Sequence, residues 1–588
     1  MPPPVQVAFK RIGEPVVGQN GYLGFLKGKT EVHKAGSRPG NAKLWTPDIL
    51  VEHDVEIVVR DGARLYVDIY RPADSDEKIP AILSWSFYGK KYSALDMLPI
   101  CVWNCCVTKD MLSGLEKFEG LDPARWCPRG YAIISVDSRG ADGQISVMGT
   151  QDAEDGYDVV EAIAKMDCIG MAGNSALAIS QWNIASLQPP SLKAIAPWEG
   201  MDDIYREQFC RGGWFSMSNF DLIAKAIVRG NPNSGLEDLD EMYRRKPVDS
   251  KFWEDKRIDM KKIKCPVYIR GSEVSALHTM GSIRGWLEIE HDQKWIHWGS
   301  TQEWYELYGQ PESNHELQKY FDRFLKGKQN DWEKTPRLNW SLLQFGDRKA
   351  IENVLIEDFP VPNTDYKEFY LGQDKKLVDA PPSTLQKFSY DSEKHLGFSE
   401  FIYTFDKPTS LLGLPKAIVY ISCADTSRDD FTVFIILRKL DKDGKTLYHL
   451  NFPIEATPVN SIDEIPEKEM ASLNLFSGAT GILRASQREI DESKSIHPQF
   501  PFHPHKRQQK ISPNEIVKLE IGIWAMGVHY DAGESISVRI GGQQPSIAEF
   551  TSFSGPRPEH ELNRGDHIIH SGPDYPSKII LPFVDVKV

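Results

Sequence analysis

Residues 169–182 read I-G-M-A-G-N-S-A-L-A-I-S-Q-W, and this stretch decides how the rest of the chain is interpreted. The apolar run 169–172 predicts a short buried strand, and the run 176–187 predicts a helix. Ser175 lies in the sharp turn between them. A tight strand-to-helix turn lifts a serine hydroxyl above a parallel sheet, and the amide of the next residue, Ala176, points to the same space.

The motif around Ser175 departs from the usual nucleophile elbow at one position. The elbow normally has a second glycine two residues after the serine, where a side chain would clash, but Leu177 stands there. An ordinary strand-to-helix turn capped by Asn174 or Ser175 fits the same residues. From these residues alone, both interpretations stay open.

Composition places the chain among soluble globular proteins and limits its partners. The 588 residues, 41% hydrophobic and 26% charged, predict more than one domain. The formal net charge of −14 argues against nucleic acid or an anionic membrane as the main partner. The eight cysteines form no recognisable disulfide framework, and no signal sequence or long apolar run is visible. We therefore expect a cytoplasmic protein with a small-molecule substrate.

Strands alternate with helices on both sides of an interruption at residues 200–265. Two alternating runs flank Asp61-Gly62 and predict a hairpin. The apolar runs 80–85, 131–137, 192–197 and 266–270 are typical of buried parallel strands. Residues 51–199 and 266–336 are therefore predicted to form a doubly wound α/β sheet.

The remaining segments are assigned by their changed patterns. Residues 1–50 are predicted to form an arm on the body of the protein. Residues 200–265 predict a helical cap over the strand ends, where ligands bind in open α/β sheets. Residues 337–588 contain short alternating runs separated by turn residues, which predicts a separate β-sandwich of the jelly-roll type.

Short motifs through the first half of the chain point to a known family. The chain resembles the cocaine-esterase and X-prolyl-dipeptidyl-peptidase group of α/β hydrolases, and a fungal branch of it in particular. The resemblance spans nearly the whole chain and implies an α/β-hydrolase fold with a helical cap and a C-terminal jelly roll. It also favours the nucleophile-elbow interpretation of Ser175. The motifs are Arg60-Asp61-Gly62, Ser138-Arg139-Gly140, Glu154-Asp155-Gly156-Tyr157-Asp158, Gly173-Asn174-Ser175 and Ala196-Pro197-Trp198-Glu199-Gly200.

A serine nucleophile needs a base, a group that orients the base, and donors for the oxyanion. The backbone amide of Ala176 supplies one donor by its position. The resemblance implies that a tyrosine hydroxyl after the first parallel strand is the second donor, which corresponds to Tyr88. The alternative for Tyr88 is an aromatic side chain packed at a strand end.

The base and the acid depart from the family pattern. The family has an aspartate after the strand at 266–270, but Ser275 is nearest to that position. It has a histidine after the next strand, but Glu303 stands there. Because the two loops face each other in the fold, we predict an exchange in which His278 is the base and Glu303 orients it. Glu273 as orienter and His297 as base are the weaker alternatives.

Several aromatic side chains are candidates for an apolar pocket under the cap, namely Trp198, Trp214, Phe215 and Trp304. No cofactor or metal is expected. The histidines at 497, 503 and 505 are unevenly spaced in a loop, and no glycine-rich phosphate loop follows the first strands.

The sequence therefore predicts a serine hydrolase or acyl-transfer enzyme acting on an ester, amide or thioester carbonyl of a small molecule. One alternative is a hydrolase fold repurposed for lyase, isomerase or cyclase chemistry in fungal secondary metabolism, with His278 or Glu303 as acid or base. Another is a non-catalytic binding protein. The substrate stays open, and so does the oligomeric state, with a homo-oligomer among the options.

Overall fold

The structure is a computed structural model that describes residues 5–37, 44, 47–74, 77–139, 143–164, 168–275, 277–425, 427–545 and 563–587. Gly140 of the Ser138-Arg139-Gly140 motif lies outside the described residues, as do parts of the predicted arm and sandwich. Among the described helices, none has the length and apolar character needed to cross a membrane.

The part of the chain up to residue 355 mixes strands and helices. Its strands are β1 (Phe9–Arg11), β2 (Thr30–His33), β3 (Ile49–Val58), β4 (Arg64–Pro72), β5 (Ala81–Ser84), β6 (Ala132–Asp137), β7 (Gln144–Ile145), β8 (Ile169–Asn174), β9 (Leu192–Trp198), β10 (Cys210–Arg211), β11 (Trp214–Phe215), β12 (Gly235–Glu237), β13 (Val267–Ser272), β14 (Lys294–Gly299), β15 (Leu338–Leu342) and β16 (Ile351–Leu355). Its α-helices are α1 (Ala94–Met97), α2 (Pro123–Trp126), α3 (Thr150–Ile163), α4 (Ala176–Ser186), α5 (Ser218–Ala226), α6 (Leu239–Arg245), α7 (Lys251–Glu254), α8 (Thr279–Glu288) and α9 (Pro311–Phe324).

An eleven-stranded sheet forms the centre of this part, with strand order β16-β15-β14-β13-β9-β8-β5-β6-β4-β3-β2. The strands from β6 to β15 in this order run parallel, and β3 and β4 form the predicted hairpin. The order reverses around β5, which lies between β6 and β8. The reversal makes the carboxyl ends of β5 and β8 the expected place for a ligand.

The strands at the centre of this sheet are covered on both faces. Every residue of β6 and β8 is buried, which is why both read as continuous apolar runs rather than alternating ones. Helix α4 is buried from Ala176 through Ala185, so it also lacks a polar face. The predicted doubly wound α/β-hydrolase fold is confirmed.

The arm is more integrated into the fold than predicted. Strand β2 extends the central sheet by pairing with β3, and β1 pairs with β12 of the cap. The predicted boundary at residue 50 falls inside β3, and the division into an arm and a hydrolase domain stays a prediction. The cap carries α5, α6 and α7, and its strand β12 also pairs with β7.

The second part of the chain is made of strands. They are β17 (Asp365–Leu371), β18 (Leu377–Val378), β19 (Gln386–Asp391), β20 (Phe398–Thr404), β21 (Thr409–Gly413), β22 (Lys416–Cys423), β23 (Thr432–Leu440), β24 (Thr446–Leu447), β25 (His449–Leu450), β26 (Leu475–Phe476), β27 (Thr480–Arg484), β28 (Val517–Gly522), β29 (Met526–Tyr530), β30 (Ser535–Gly541), β31 (Asp566–Ser571) and β32 (Lys578–Val584). A nine-stranded and a five-stranded sheet share one apolar core, as the predicted β-sandwich requires. The jelly-roll topology stays a prediction.

The domain boundary predicted at residue 337 stays a prediction, although the two strands that follow it join the central sheet. Strands β15 and β16 belong to the central sheet, because β15 pairs in parallel with β14 and β16 pairs with β15. The sandwich sheets therefore begin at β17. Alternation along a strand shows that one face is buried, but it does not show which sheet the strand joins.

Candidate active site

Ser175 lies at a strained turn between β8 and α4. Its backbone has φ 54° and ψ −120°, a conformation that a non-glycine residue adopts only when its surroundings enforce it. The Ser175 amide donates to the carbonyl oxygens of Trp198 and Glu199, both at 3.1 Å. These bonds from the neighbouring strand end hold the turn and leave the side chain above the sheet.

The structure explains why Leu177 is tolerated where the usual elbow has glycine. Gly173 has φ 136°, and a Cβ there would lie 2.6 Å from the Leu177 Cδ2 and 2.9 Å from the Glu119 carbonyl oxygen. The missing side chain at Gly173 therefore makes the room that Leu177 occupies. A serine elbow is sterically possible here with one glycine instead of two.

Ser175, His278 and Glu303 lie together, as the exchanged arrangement predicts. The Ser175 Oγ is 3.3 Å from the His278 Nε2, and the His278 Nδ1 is 3.4 Å from the Glu303 Oε2. His278 and Glu303 are buried, so water competes little with these contacts. The alternative orienter Glu273 accepts hydrogen bonds from the Gly527 amide at 3.0 Å, and no described contact links it to His278.

Each of the two loops is fixed by a bond to a neighbouring element. His278 directly precedes α8, and the hydroxyl of Thr279 donates to the Ser272 carbonyl at 2.9 Å, at the end of β13. The side-chain amide of Asn174 donates to the Glu303 carbonyl at 2.8 Å. Asn174 thus ties the serine turn to the loop that carries Glu303.

The β-sandwich also supports the Glu303 loop. The Gln302 amide donates to the Asn451 carbonyl at 2.8 Å. The Nε2 of His449 lies 2.8 Å from the Ser300 carbonyl oxygen. At this distance a protonated Nε2 donates a hydrogen bond to that oxygen. The position of Glu303 therefore depends on the second part of the chain.

Glu199 is a buried carboxyl beside the His278–Glu303 pair that the sequence interpretation left without a role. The Ser275 hydroxyl, nearest to the family's aspartate position, donates to the Glu199 Oε2 at 3.0 Å. Burial, and then the charge of Glu303, raise the pKa of Glu199 to about 8, while His278 acts in the opposite direction. Its position directly after β9, the neighbour of β8, was the signal that could have pointed to it.

The raised pKa of Glu199 predicts a pH-dependent stability. Between the ordinary pKa of about 4.5 and the folded value of about 8, the folded protein binds this proton more tightly than the unfolded chain does. The Glu199 contribution to the free energy of unfolding therefore falls as the pH rises through this range. We expect Glu199→Gln to match the wild type near pH 5 and to be more stable by a few kcal/mol at pH 9. Urea unfolding of both proteins across this range measures the difference, and a constant difference would refute the assignment.

Tyr88 and Glu119 form the opposite wall of the site. Tyr88 follows β5, the strand beside β8, and its hydroxyl is hydrogen-bonded to the Glu119 Oε2. The Glu119 Oε1 accepts a hydrogen bond from the Trp304 indole nitrogen at 3.0 Å. Glu119 was missed because it lies in an irregular segment with no motif around it. The Ala176 amide is at the first position of α4, where no intrahelical acceptor exists.

The four predicted pocket aromatics have different surroundings. Trp304 borders the site through its bond to Glu119. Trp198 is fully buried and packs against Tyr268 and under the Arg270 guanidinium, whose carbon is 5.1 Å from the ring centre. Phe215 stacks on Tyr243 at 3.9 Å inside the cap. Core packing uses faces of both Trp198 and Phe215, and their role as pocket residues stays a prediction.

The remaining candidates lie outside this cluster. Trp214 packs edge-on against Phe434 of the sandwich at 5.3 Å. His297 has its Nδ1 3.3 Å from the Glu316 Oε2 on α9. His503 lies between the carbonyls of Glu489 and Glu520. No group of three or more His, Cys, Asp or Glu side chains suited to a metal ion occurs in the described part of the chain.

Three features together define the class of α/β hydrolases. They are a doubly wound sheet, a serine at a strained strand-to-helix turn, and a histidine–carboxylate pair beside that serine. The chain belongs to the CocE/NonD family of hydrolases. The crystal structure of a CocE/NonD family hydrolase from Staphylococcus aureus is 30% identical, with 95% of this chain and 97% of that chain covered at a TM-score of 0.82. Residues 61–302 match the X-Pro dipeptidyl-peptidase S15 family, and residues 330–580 match the X-Pro dipeptidyl-peptidase C-terminal non-catalytic domain.

Two further relatives are more distant or cover less of the chain. Cocaine esterase from Rhodococcus sp. (strain MB1 Bresler) is 33% identical over 162 residues, which are 26% of this chain and a quarter (25%) of that protein. An aminopeptidase from the marine sediment archaeon Thaumarchaeota archaeon shares the fold at a TM-score of 0.66 and 14% identity, with 91% of this chain and 97% of that chain covered. The predicted family is confirmed.

Proposed function

We propose that this protein is a serine hydrolase that cleaves an ester, amide or thioester of a small molecule with an exchanged triad of Ser175, His278 and Glu303. The observation that carries the proposal is the continuous chain of contacts from the Ser175 Oγ to His278 (3.3 Å) and from His278 to Glu303 (3.4 Å). A triad is defined by geometry and roles, so a base from the loop after β13 and an acid from the loop after β14 can replace the usual order.

In the first half-reaction, the Ser175 Oγ forms a bond to the substrate carbonyl carbon while its proton moves to the His278 Nε2. The electron pair of the carbonyl bond moves to the oxygen. Glu303 holds the Nδ1 proton of the ring and stabilises the imidazolium that forms. His278 then protonates the leaving group, whose bond to carbon breaks, and an acyl-enzyme remains. Water, deprotonated by His278, releases the acyl group by the same steps.

The developing oxyanion needs donors that are already in place. The Ala176 amide and the Tyr88 hydroxyl are the two proposed donors, one from the start of α4 and one from the loop after β5. The neutral state of Glu199 keeps a second negative charge away from the His278–Glu303 pair at neutral pH.

A fluorophosphonate probe tests this proposal, because it phosphonylates only a serine that a base activates. We expect labelling of the wild type at Ser175, located by mass spectrometry of the digested protein, and complete loss of labelling in Ser175→Ala. Ser275→Ala, which removes the neighbouring serine, is the matched control and should keep its label. An unlabelled wild type, or a label that persists in Ser175→Ala, would refute the proposal.

A further inference from the structure

Glu119 touches the proposed catalytic groups on three sides. Its Oε1 accepts from the Trp304 indole nitrogen at 3.0 Å, its Oε2 is hydrogen-bonded to the Tyr88 hydroxyl, and Ser175 also interacts with this carboxyl. The main chain is anchored as well, because the Asn174 amide donates to the Glu119 carbonyl at 3.2 Å. The carboxyl is therefore held between the serine turn and the proposed oxyanion donor.

The protons in this cluster can be counted. An indole nitrogen only donates, so the Glu119 Oε1 must accept from Trp304. If Glu119 were ionised, Oε2 would also accept, and the single hydroxyl proton of Tyr88 would point to Glu119. If Glu119 is neutral, its proton is on Oε2, and donating it to the Tyr88 oxygen leaves the Ser175 hydroxyl proton for His278. The Tyr88 proton is then free to point elsewhere.

We propose that Glu119, as a neutral carboxylic acid, is a positioning residue that orients the Tyr88 hydroxyl proton toward the oxyanion formed at Ser175. The inference rests on the proposed function and deepens it. During attack, the Oε2–H of Glu119 donates to the Tyr88 oxygen, and the Tyr88 O–H donates to the oxyanion beside the Ala176 amide. No proton is transferred between Glu119 and Tyr88 in this step. Trp304 selects which Glu119 oxygen carries the proton.

The surroundings favour the neutral acid. Burial, and then the charge of Glu303, raise the pKa of Glu119 well above its ordinary value, while the hydrogen bonds from Trp304 and Ser175 act in the opposite direction. Tyr308 is another titratable group near the cluster, and its hydroxyl donates a hydrogen bond to the Gly120 carbonyl at 3.2 Å. The charge and the hydrogen bonds that shift the pKa of Glu119 come from Glu303, Trp304 and Ser175.

A neutral carboxylic acid can be imitated by an amide but not by an apolar side chain. In Glu119→Gln, the amide oxygen can accept from Trp304 while the amide nitrogen donates to the Tyr88 oxygen. In Glu119→Met, the thioether cannot donate to the Tyr88 oxygen and accepts only weakly from Trp304. We expect Glu119→Met to lower kcat for an ester substrate about 100-fold, which is the usual effect of losing one oxyanion donor. Glu119→Gln should have a kcat much closer to that of the wild type. Glu119→Ala provides a second apolar variant if the methionine variant does not fold.

The same pair of variants in a Tyr88→Phe background tests the route of the effect. If Glu119 acts through Tyr88, the glutamine and methionine variants should differ by less than about 3-fold once the hydroxyl is gone. Glu116→Gln changes another buried carboxyl of the same segment, one bonded to the Leu95 and Gly114 amides, and controls for disturbance of the loop. It should keep kcat within about 3-fold of the wild type.

The outcomes separate this inference from the proposed function. Equal losses in Glu119→Gln and Glu119→Met would mean that the negative charge of Glu119 is what matters, and would overturn the inference. A glutamine–methionine difference that persists in the Tyr88→Phe background would overturn it too. A wild type that neither hydrolyses esters nor takes the fluorophosphonate probe would instead overturn the proposed function.

Discussion

Replacing His278 by alanine should lower kcat for an ester substrate by about 10⁶-fold, as much as the loss of Ser175 itself. Without the ring, the Ser175 Oγ loses the proposed base, whose Nε2 lies 3.3 Å away, and burial raises the pKa of the neighbouring Glu119 carboxyl, which favours its neutral form over a carboxylate that could accept the proton. Since the residues of a triad act as a unit, the Ser175→Ala/His278→Ala double variant should be no slower than either single variant. Steady-state kinetics on the three proteins measure this.

His297→Ala is the matched control for this experiment. His297 lies one strand away on β14 and was the alternative base from the sequence, but its ring is beside Glu316 on α9. We expect a change in kcat of less than about 3-fold. If His297→Ala abolished activity and His278→Ala did not, the base would have been assigned to the wrong histidine.

Replacing Glu303 by glutamine should lower kcat by about 10⁴-fold while the fold is retained. A carboxylate at 3.4 Å from the Nδ1 favours the ring tautomer that carries its proton there, which leaves the Nε2 free to accept the serine proton. A glutamine amide can instead donate to the Nδ1 and favour the tautomer with the proton on Nε2. That tautomer cannot act as the base.

Ser275→Ala is the control for the acid. Ser275 is nearest to the aspartate position of the family, but its hydroxyl donates to Glu199. We expect a change in kcat of less than about 5-fold. A Glu303→Gln variant with full activity would show that another carboxylate, with Glu199 the nearest candidate, orients the ring.

The sequence was sufficient to predict the central sheet because its signals are local. The Asp61-Gly62 hairpin, the buried run of β8 and the turn at Ser175 each depend on adjacent residues. The proximity of His278 and Glu303 could also be predicted, because the ends of neighbouring parallel strands β13 and β14 meet at one edge of the sheet. The pairing of β15 and β16 with the central sheet could not be predicted, because which sheet a strand joins is decided by long-range contacts.

The same limit applies to the site. Glu119 and Glu199 contact the triad region only through the tertiary fold: Glu119 comes from an irregular segment and Glu199 from a motif without an assigned role. Their raised pKa values arise from burial and from the charge of Glu303, neither of which is visible along the sequence. The packing partners of Trp198 and Phe215 could not be predicted for a related reason, since an aromatic residue near a strand end packs as readily into a core as around a ligand.

A crystal structure of the wild-type protein after reaction with a fluorophosphonate tests the exchanged triad most directly. We predict a covalent bond from phosphorus to the Ser175 Oγ, with the phosphoryl oxygen within hydrogen-bond distance of the Ala176 amide and the Tyr88 hydroxyl. The His278 ring should stay between the adduct and the Glu303 carboxylate. An adduct on another residue, or a His278 ring that faces a carboxylate other than Glu303, would contradict the assignment.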